Sequence, residues 1–296
     1  MAVDTAQRDT VVAAAIKEIA HIATLPEITL KIIQLVEDPT STAQDLHNVI
    51  AKDPALCTRI LKVVNSAFYG LPGQIGSINR AIVLLGLNAV KNIAIAASLA
   101  KLFKGGNLTP NFSARDLWLH SVAVASATKL QADKLKLGLS DEAFLSGLLH
   151  DIGIMVMLQF DRNKLVEVVN KTVAEGPGAD MMANEIGIFG ATHQDFGAAL
   201  CEKWKFPRAF SLVTGYHHRP LELPEENRVL PCMVYVADRL ASELKKDGGF
   251  TLDVAYTEIS DEVLDEIKLS REDLDIIRAK LPEHVEAVSG MLMAPG

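Results

Sequence analysis

Aromatic side chains are scarce in this 296-residue chain, at 5% of residues with two tryptophans, and cysteine is rarer, at three. Sheets favour β-branched and aromatic residues, whereas alanine, leucine and isoleucine dominate here, so helices are expected over strands. Cys57, Cys201 and Cys232 are odd in number, scattered and outside CxxC spacing, which argues against a disulfide framework and suits buried thiols in a reducing compartment. Positive charge is also in deficit. The formal net charge of −8 excludes a tracker of phosphate backbones, so duplex nucleic acid is not an expected partner. The opening MAVDTAQRDT holds no apolar signal core, and no apolar run is expected to approach the ~18 residues of a membrane span. The expectation is a cytoplasmic protein with no membrane contact. Hydrophobic residues make up 49%, enough for the core of one large or two medium domains.

What is present reads as helix after helix. Ser41 with Gln44 has capping-box spacing, Asp53-Pro54 supplies an N-cap followed by proline at the first helical position, and Ser140-Asp141-Glu142 opens an apolar helix. Gly70 to Gly76 is a Gly/Pro-rich break. Lys104-Gly105-Gly106 with Thr109-Pro110 is a stronger one and marks the expected main boundary. The expected organisation is an N-terminal helical lobe over 8–104, a lobe of longer helices over 110–246 that includes Leu117 to Leu135, and a helical tail over 250–296.

The most informative segment is Gly147-Leu148-Leu149-His150-Asp151-Ile152-Gly153, which places a histidine and an aspartate within that apolar helix. A carboxylate in a dry core is costly unless it is hydrogen-bonded, ion-paired or coordinating a cation. Adjacent helical positions lie ~100° apart, so a short Asp and a longer His can converge on one ion. His120, His193, His217-His218 and Asp238 complete the order H, HD, H, HH, D, each step on a different helix, as a metal site in a bundle core requires. Singly, these residues have ordinary readings: His120 as a satisfied core histidine, His217-His218 as a polar helix end, Asp238 as a partner of Arg239. The ordered set favours a metal site.

That order resembles the HD superfamily of metal-dependent phosphohydrolases, in which an upstream His, the HD pair and a distant Asp bind one metal and intervening histidines a second. The resemblance implies a first set of His120, His150, Asp151 and Asp238, and a second of His193 with His217 or His218, bridged by Asp151. Upstream, Asp53-Pro54-Ala55-Leu56, the run from Ile60 to Tyr69 and the run from Ile78 to Gly86 resemble the HDOD family, the HD-related output domains of bacterial signalling proteins. Leu25-Pro26, and Gly197 to Leu200 with Trp204 and Pro207, fit the same pattern over about residues 18–245.

This likeness implies an all-α, two-lobed helical bundle with an HD-type domain, acting as a regulatory module on signalling proteins. It further implies one or two divalent transition metal ions (iron, manganese, zinc or nickel) and a nucleotide as a candidate ligand. The alternative is a metal-dependent phosphohydrolase acting on a nucleotide or cyclic dinucleotide, with Asp151 catalytic. Two departures weigh against turnover: Ile154 stands where HD-GYP phosphodiesterases carry Lys, and Arg219-Pro220 where they continue with Glu. A missing cation beside the metals removes one means of stabilising a transferring phosphoryl group.

In the upstream lobe, Asn65 is expected to cap a helix before the 70–76 turn, and Arg80 to pair with a carboxylate. Partners are expected at the loop from Phe68 to Ile75 and at polar faces around Lys62 and Lys91. The apolar series from Ile82 to Ile95 should turn towards the second lobe.

Overall fold

Short polar side chains start most of the helices. In the computed structural model, which describes the chain except residues 1–4, 20–26, 67–68, 101, 104–106, 110–111, 177, 245–257 and 293–296, the first helices are α1 (Thr5–Ile19) and α2 (Glu27–Glu37). Leu25-Pro26, Phe68 and Gly105-Gly106 lie outside the described residues. Thr42 and Asp45 form the capping box of α3 (Ala43–Ile50), one residue beyond the expected Ser41–Gln44 pair. Ser41 is otherwise engaged, its Oγ donating to Leu35 O at 2.8 Å and accepting from Lys91 Nζ at 2.6 Å. Asp53 caps α4 (Pro54–Val64) with Pro54 at its first position, as expected. Asn65 ends that helix and ties the following turn, donating to Ile75 O at 2.8 Å and accepting from Ile75 N at 2.6 Å.

Ser77 opens α5 (Ile78–Leu85), and α6 (Leu87–Leu99) follows. The whole of Ala89–Leu99 is buried because α6 packs on α2, α4 and α5 and also on the second half of the chain. The expected orientation of the apolar series therefore holds for α6. On α5, by contrast, Val83 is 73% and Leu84 37% exposed. Two expectations of partner and ion-pair chemistry fail here. Lys91 is buried in the Ser41–Leu35 contact, where loss of solvent lowers its pKa, so it offers no polar face. Arg80 is exposed and has no carboxylate within ion-pair distance among the described residues.

A small antiparallel hairpin, β1 (Asn107–Thr109) with β2 (Phe112–Ser113), leads into the 22-residue α7 (Ala114–Leu135). Helix α7 packs on α8 (Ser140–Leu149) and α14 (Val229–Ser242); between these in the chain come α9 (Ile152–Phe160), α10 (Arg162–Glu175), α11 (Met181–Phe189), α12 (His193–Lys203) and α13 (Arg208–Tyr216), with α12 against α9 and α13 and α10 against α9 and α11. The last two, α15 (Asp261–Ile267) and α16 (Arg271–Leu292), pack on α14 and α7 respectively, and α16 also reaches α4. The fold is all-α and two-lobed apart from the hairpin. One apolar core, including Ile60, Ile95, Trp118, Leu148 and Phe196, runs without a break from the first lobe into the second. A second, including Val124, Met233, Val236, Leu264 and Ile277, lies between α7 and α14–α16. Tyr69 adds a polar tie, donating its hydroxyl to Asp141 Oδ1 at 3.1 Å.

Two features depart from the sequence expectation. Residues 140–160 are long and apolar enough to span a membrane by length and composition, yet 83% of that window is buried inside the protein, as core helices. The HD pair, expected within one helix, lies at the break between α8 and α9. Asp151, at φ −99° and ψ 15°, leaves helical geometry, and Ile154 N turns back to Asp151 O in a tighter three-residue bond.

Candidate metal centre

Helix ends deliver most of the chemistry. His150 ends α8, Asp151 precedes α9, His193 begins α12 behind the Thr192–Asp195 capping box, and His217 ends α13 beside His218. Only His120 and Asp238 project from helix interiors, α7 and α14. Close helix contacts put them in register: Gly147 of α8 lies on the Ala125 backbone of α7, and Gly153 of α9 lies on the His193 carbonyl of α12.

The structure brings all seven sequence-predicted residues together, with side chains 0–9% exposed. Asp151 is shared between two groups. Its Oδ2 faces His150 Nε2 at 3.2 Å and His120 Nε2 at 3.8 Å; its Oδ1 faces His217 Nε2 at 3.4 Å and His193 Nε2 at 3.6 Å. His218 joins the second group through Nε2, 3.1 Å from His193 Nε2. Asp238 closes the first side, 3.1 Å from His120 Nε2 and 4.0 Å from His218 Nδ1. The ordinary reading of Asp238 as a partner of Arg239 fails, since that guanidinium donates to Tyr235 O and Glu258 O and covers the Tyr235 ring.

The outer ring nitrogens decide what the inner ones can do. His150 Nδ1 meets Gly147 O at 2.7 Å, His217 Nδ1 meets Val213 O at 3.1 Å, and His193 Nδ1 meets both Glu185 oxygens at 2.9 Å. Carbonyls and carboxylates only accept, so each Nδ1 carries the hydrogen and a neutral ring presents a bare Nε2 lone pair inwards. The Nε2 atoms of His193 and His217 then face each other at 3.3 Å, an arrangement that repels unless a cation lies between them. Asp151 Oδ1 is buried without a hydrogen-bond partner, and His150 Nε2 has only the Asp151 Oδ2 contact at 3.2 Å, which keeps its ring protonated when no metal is bound. The facing lone pairs of His193 and His217 and the orphaned Asp151 Oδ1 fit a divalent metal, and this buried His/Asp cluster is able to hold one.

Glu185 was not legible as part of the site. It is fully buried on α11 and accepts from both the backbone N–H and the ring of His193. The signal available was the one that exposed Asp151, a lone carboxylate in an apolar helix, here eight residues before a candidate ligand.

Charge in the metal-free cluster is unevenly held. Burial opposes protonation of His150, but Asp151 beside it and Asp238 beyond outweigh this and raise it to about 9. Burial and the neighbouring His218 push His217 down to about 3. Burial works against the charged forms of Asp151 and Asp238 too, yet the imidazoles hold both carboxyls below the usual range. The consequences for stability have definite signs. A histidine ordinarily titrates near 6.5, so the unfolded chain takes up a proton at position 217 below that pH while the folded protein does not until about 3. Stability from His217 is present above ~6.5 and falls by ~1.4 kcal/mol per unit below it. His150 acts oppositely: its contribution is complete below 6.5 and is lost as pH rises towards about 9. Chelator-treated protein should therefore be most stable near neutrality and lose stability on both sides. Denaturant midpoints that stay flat between roughly pH 5 and 8 would refute this balance.

The HDOD domain family model matches residues 22–220. A curated relative, an uncharacterised protein of Treponema pallidum (strain Nichols), is 26% identical over 230 residues, 74% of this chain and 42% of that protein, so the chain spans less than half its length. Among solved structures, an HDOD domain protein of unknown function from Geobacter sulfurreducens superposes with a TM-score of 0.78 at 24% identity over 98% of both chains. A presumed signal-transduction protein of Marinobacter aquaeolei VT8 gives 0.76 at 23%, over 99% of this chain and 67% of its own. A presumed phosphohydrolase of Shewanella amazonensis SB2B gives 0.71 at 24%, over 95% and 98%.

Proposed function

The chain belongs to the HDOD family, and from that premise we propose that it is a bacterial signal-transduction module that acts through protein partners and holds a structural HD-type metal site. The metal is one or two divalent transition ions, with His120, His150, Asp151 and Asp238 on one side and His193, His217 and His218 on the other. Mixed imidazole and carboxylate donors suit iron, manganese, zinc or nickel. One observation carries the regulatory reading over the hydrolytic one. Among the described residues no lysine or arginine pairs with Asp151 or Asp238, whose charged neighbours are imidazoles alone. Ile154 is buried in the apolar core, and Arg219 turns outwards over the Tyr216 ring and towards Glu222. Hydrolysis of a phosphate ester needs its developing charge neutralised, and no fixed cation here supplements the metal. Partner contact is assigned to the N-terminal lobe, where Val83 and Leu84 face outwards. The unpaired thiols of Cys57, Cys201 and Cys232 suit a cytoplasmic setting.

The second reading, a metal-dependent phosphohydrolase, is favoured by the position of Asp151, whose two oxygens each serve one group, as a carboxylate bridging two metal ions would. Turnover separates the two. Cyclic dinucleotides, nucleoside mono- and triphosphates and an aryl phosphate, each with manganese, iron, zinc and nickel added, should show no release of product above metal-only controls. Metal-dependent turnover that disappears in His150→Ala would replace the regulatory module with an enzyme.

A further inference from the structure

Outside the matched residues 22–220, α1 lies across α9 and α12, and a groove opens between it and α12–α13. The groove has two chambers, of about 580 and 430 Å³, each within the range of small-molecule sites. Arg8, Gln194, Asp195 and Arg219 line both, so the chambers adjoin. None of the seven metal-site residues lines either one, although Gln194 follows His193 and Arg219 follows His218 in the chain.

Two residues of the groove wall each carry a buried polar atom without a partner. Gln194 is 1% exposed, its amide nitrogen on the Met182 sulfur and its Oε1 unbonded; Ser211 is 8% exposed with its Oγ unbonded. Both atoms are sealed behind the groove wall, so a ligand gains these hydrogen bonds when the two side chains turn into the groove. The cations of the groove are not equally occupied. Arg8 is held by Asp9 at 3.1 Å and Asp195 at 3.7 Å, and Asp195 also caps α12, which commits those two carboxylates. Arg219 has only the exposed Glu222 at 3.6 Å and rests on the Tyr216 ring, and Arg208 has no carboxylate within ion-pair distance among the described residues. The groove therefore combines two guanidiniums available to an anion, one carboxylate (Glu202), a buried acceptor and a buried hydroxyl in its wall, and the Arg219 guanidinium 5.3 Å from the centre of the Tyr216 ring.

We infer that the groove beneath α1 is a binding site for a mononucleotide, held beside the metal cluster and not on it. Its phosphate meets Arg208 and Arg219, guanidiniums suited to bidentate phosphate contacts. The base stacks against the Arg219–Tyr216 pair, and amine or hydroxyl groups of the ligand meet Gln194 Oε1 and Ser211 Oγ once those side chains turn into the groove. Because α1 forms one wall, occupancy would tie that helix to α12 and α13.

The test is titration of the metal-loaded full chain with AMP, GMP, ATP, GTP and sodium phosphate, by calorimetry and by equilibrium dialysis. At least one nucleotide should bind at least tenfold more tightly than phosphate. Arg208→Glu/Arg219→Glu should weaken it at least tenfold, with melting temperature and metal content unchanged. Ser211→Ala, a smaller change, should weaken it measurably without affecting either control. No nucleotide binding at millimolar concentration overturns the inference, as does equal affinity in the arginine variant or phosphate binding as tightly as any nucleotide. Binding that vanishes with chelator while ignoring the arginine change would place the ligand on the metals, overturning the groove but not the regulatory reading.

Discussion

Alanine in place of Gly153 is expected to leave little folded protein. A Cβ built on Gly153 would lie 1.8 Å from the carbonyl oxygen of His193, 2.7 Å from its carbon and 2.8 Å from the nitrogen of Gly197. All three neighbours are backbone, so no rotamer change relieves the clash and α9 must lift from α12. Overpacking in a core costs roughly 1–3 kcal/mol where side chains can adjust. Here they cannot, and the loss should exceed that range, against a total stability of only ~5–15 kcal/mol. Lifting α9 also draws Asp151 away from His193 and His217, so any variant that folds should carry less metal. Gly187 is the control: a Cβ there meets nothing within 4 Å, and α11 is helical, so Gly187→Ala should be neutral or stabilising by up to ~1 kcal/mol. Wild-type denaturation and metal content in Gly153→Ala would show that the two helices are not locked as the geometry requires.

The contrast between Gly153 and His150 marks what a sequence makes legible. Histidines and aspartates in apolar surroundings are visible because burying them demands compensation, and all seven cluster residues are of that kind. Glu185 carried the same signal more faintly, since one carboxylate in a short helix also has ordinary surface readings. Glycine has no side chain to betray its partner. That Gly153 touches His193 and Gly147 touches Ala125 depends on packing between helices distant in sequence. The α4 cap and the Asn65 turn are legible in local spacing, since their partners lie within a few residues or one loop. The α3 capping box lies one residue beyond the position its spacing suggests, because Ser41 is drawn to Lys91, fifty positions away. The same contact buries Lys91 and removes it from any partner surface. The break at His150–Asp151 was hidden for a related reason: apolar residues continue on both sides of it, so hydrophobicity alone reads 140–160 as one helix.

Asp151→Asn is expected to empty the metal site while keeping the fold. The side chain retains its shape but loses the charge that both groups share, through Oδ2 to His120 and His150 and through Oδ1 to His193 and His217. A neutral amide is a poor ligand for transition metals, and its nitrogen would oppose at least one of these positions. Metal measured by elemental analysis should fall from at least one ion per chain to below about a tenth. Ligand binding to the folded state alone contributes ~4 kcal/mol when free metal stands a thousandfold above its dissociation constant, so chelator should lower the melting temperature of the wild type. The asparagine variant should ignore chelator and melt close to the chelated wild type. Glu185→Gln offers a graded comparison: it weakens the acceptor that orients His193, and loss of such an outer partner costs about 10–100-fold in affinity without abolishing binding. Chelator-insensitive melting in wild-type protein shown to carry metal would mean that the helices hold without the ion. Undiminished metal in Asp151→Asn would mean that the ion sits elsewhere and that the converging lone pairs are satisfied by protons.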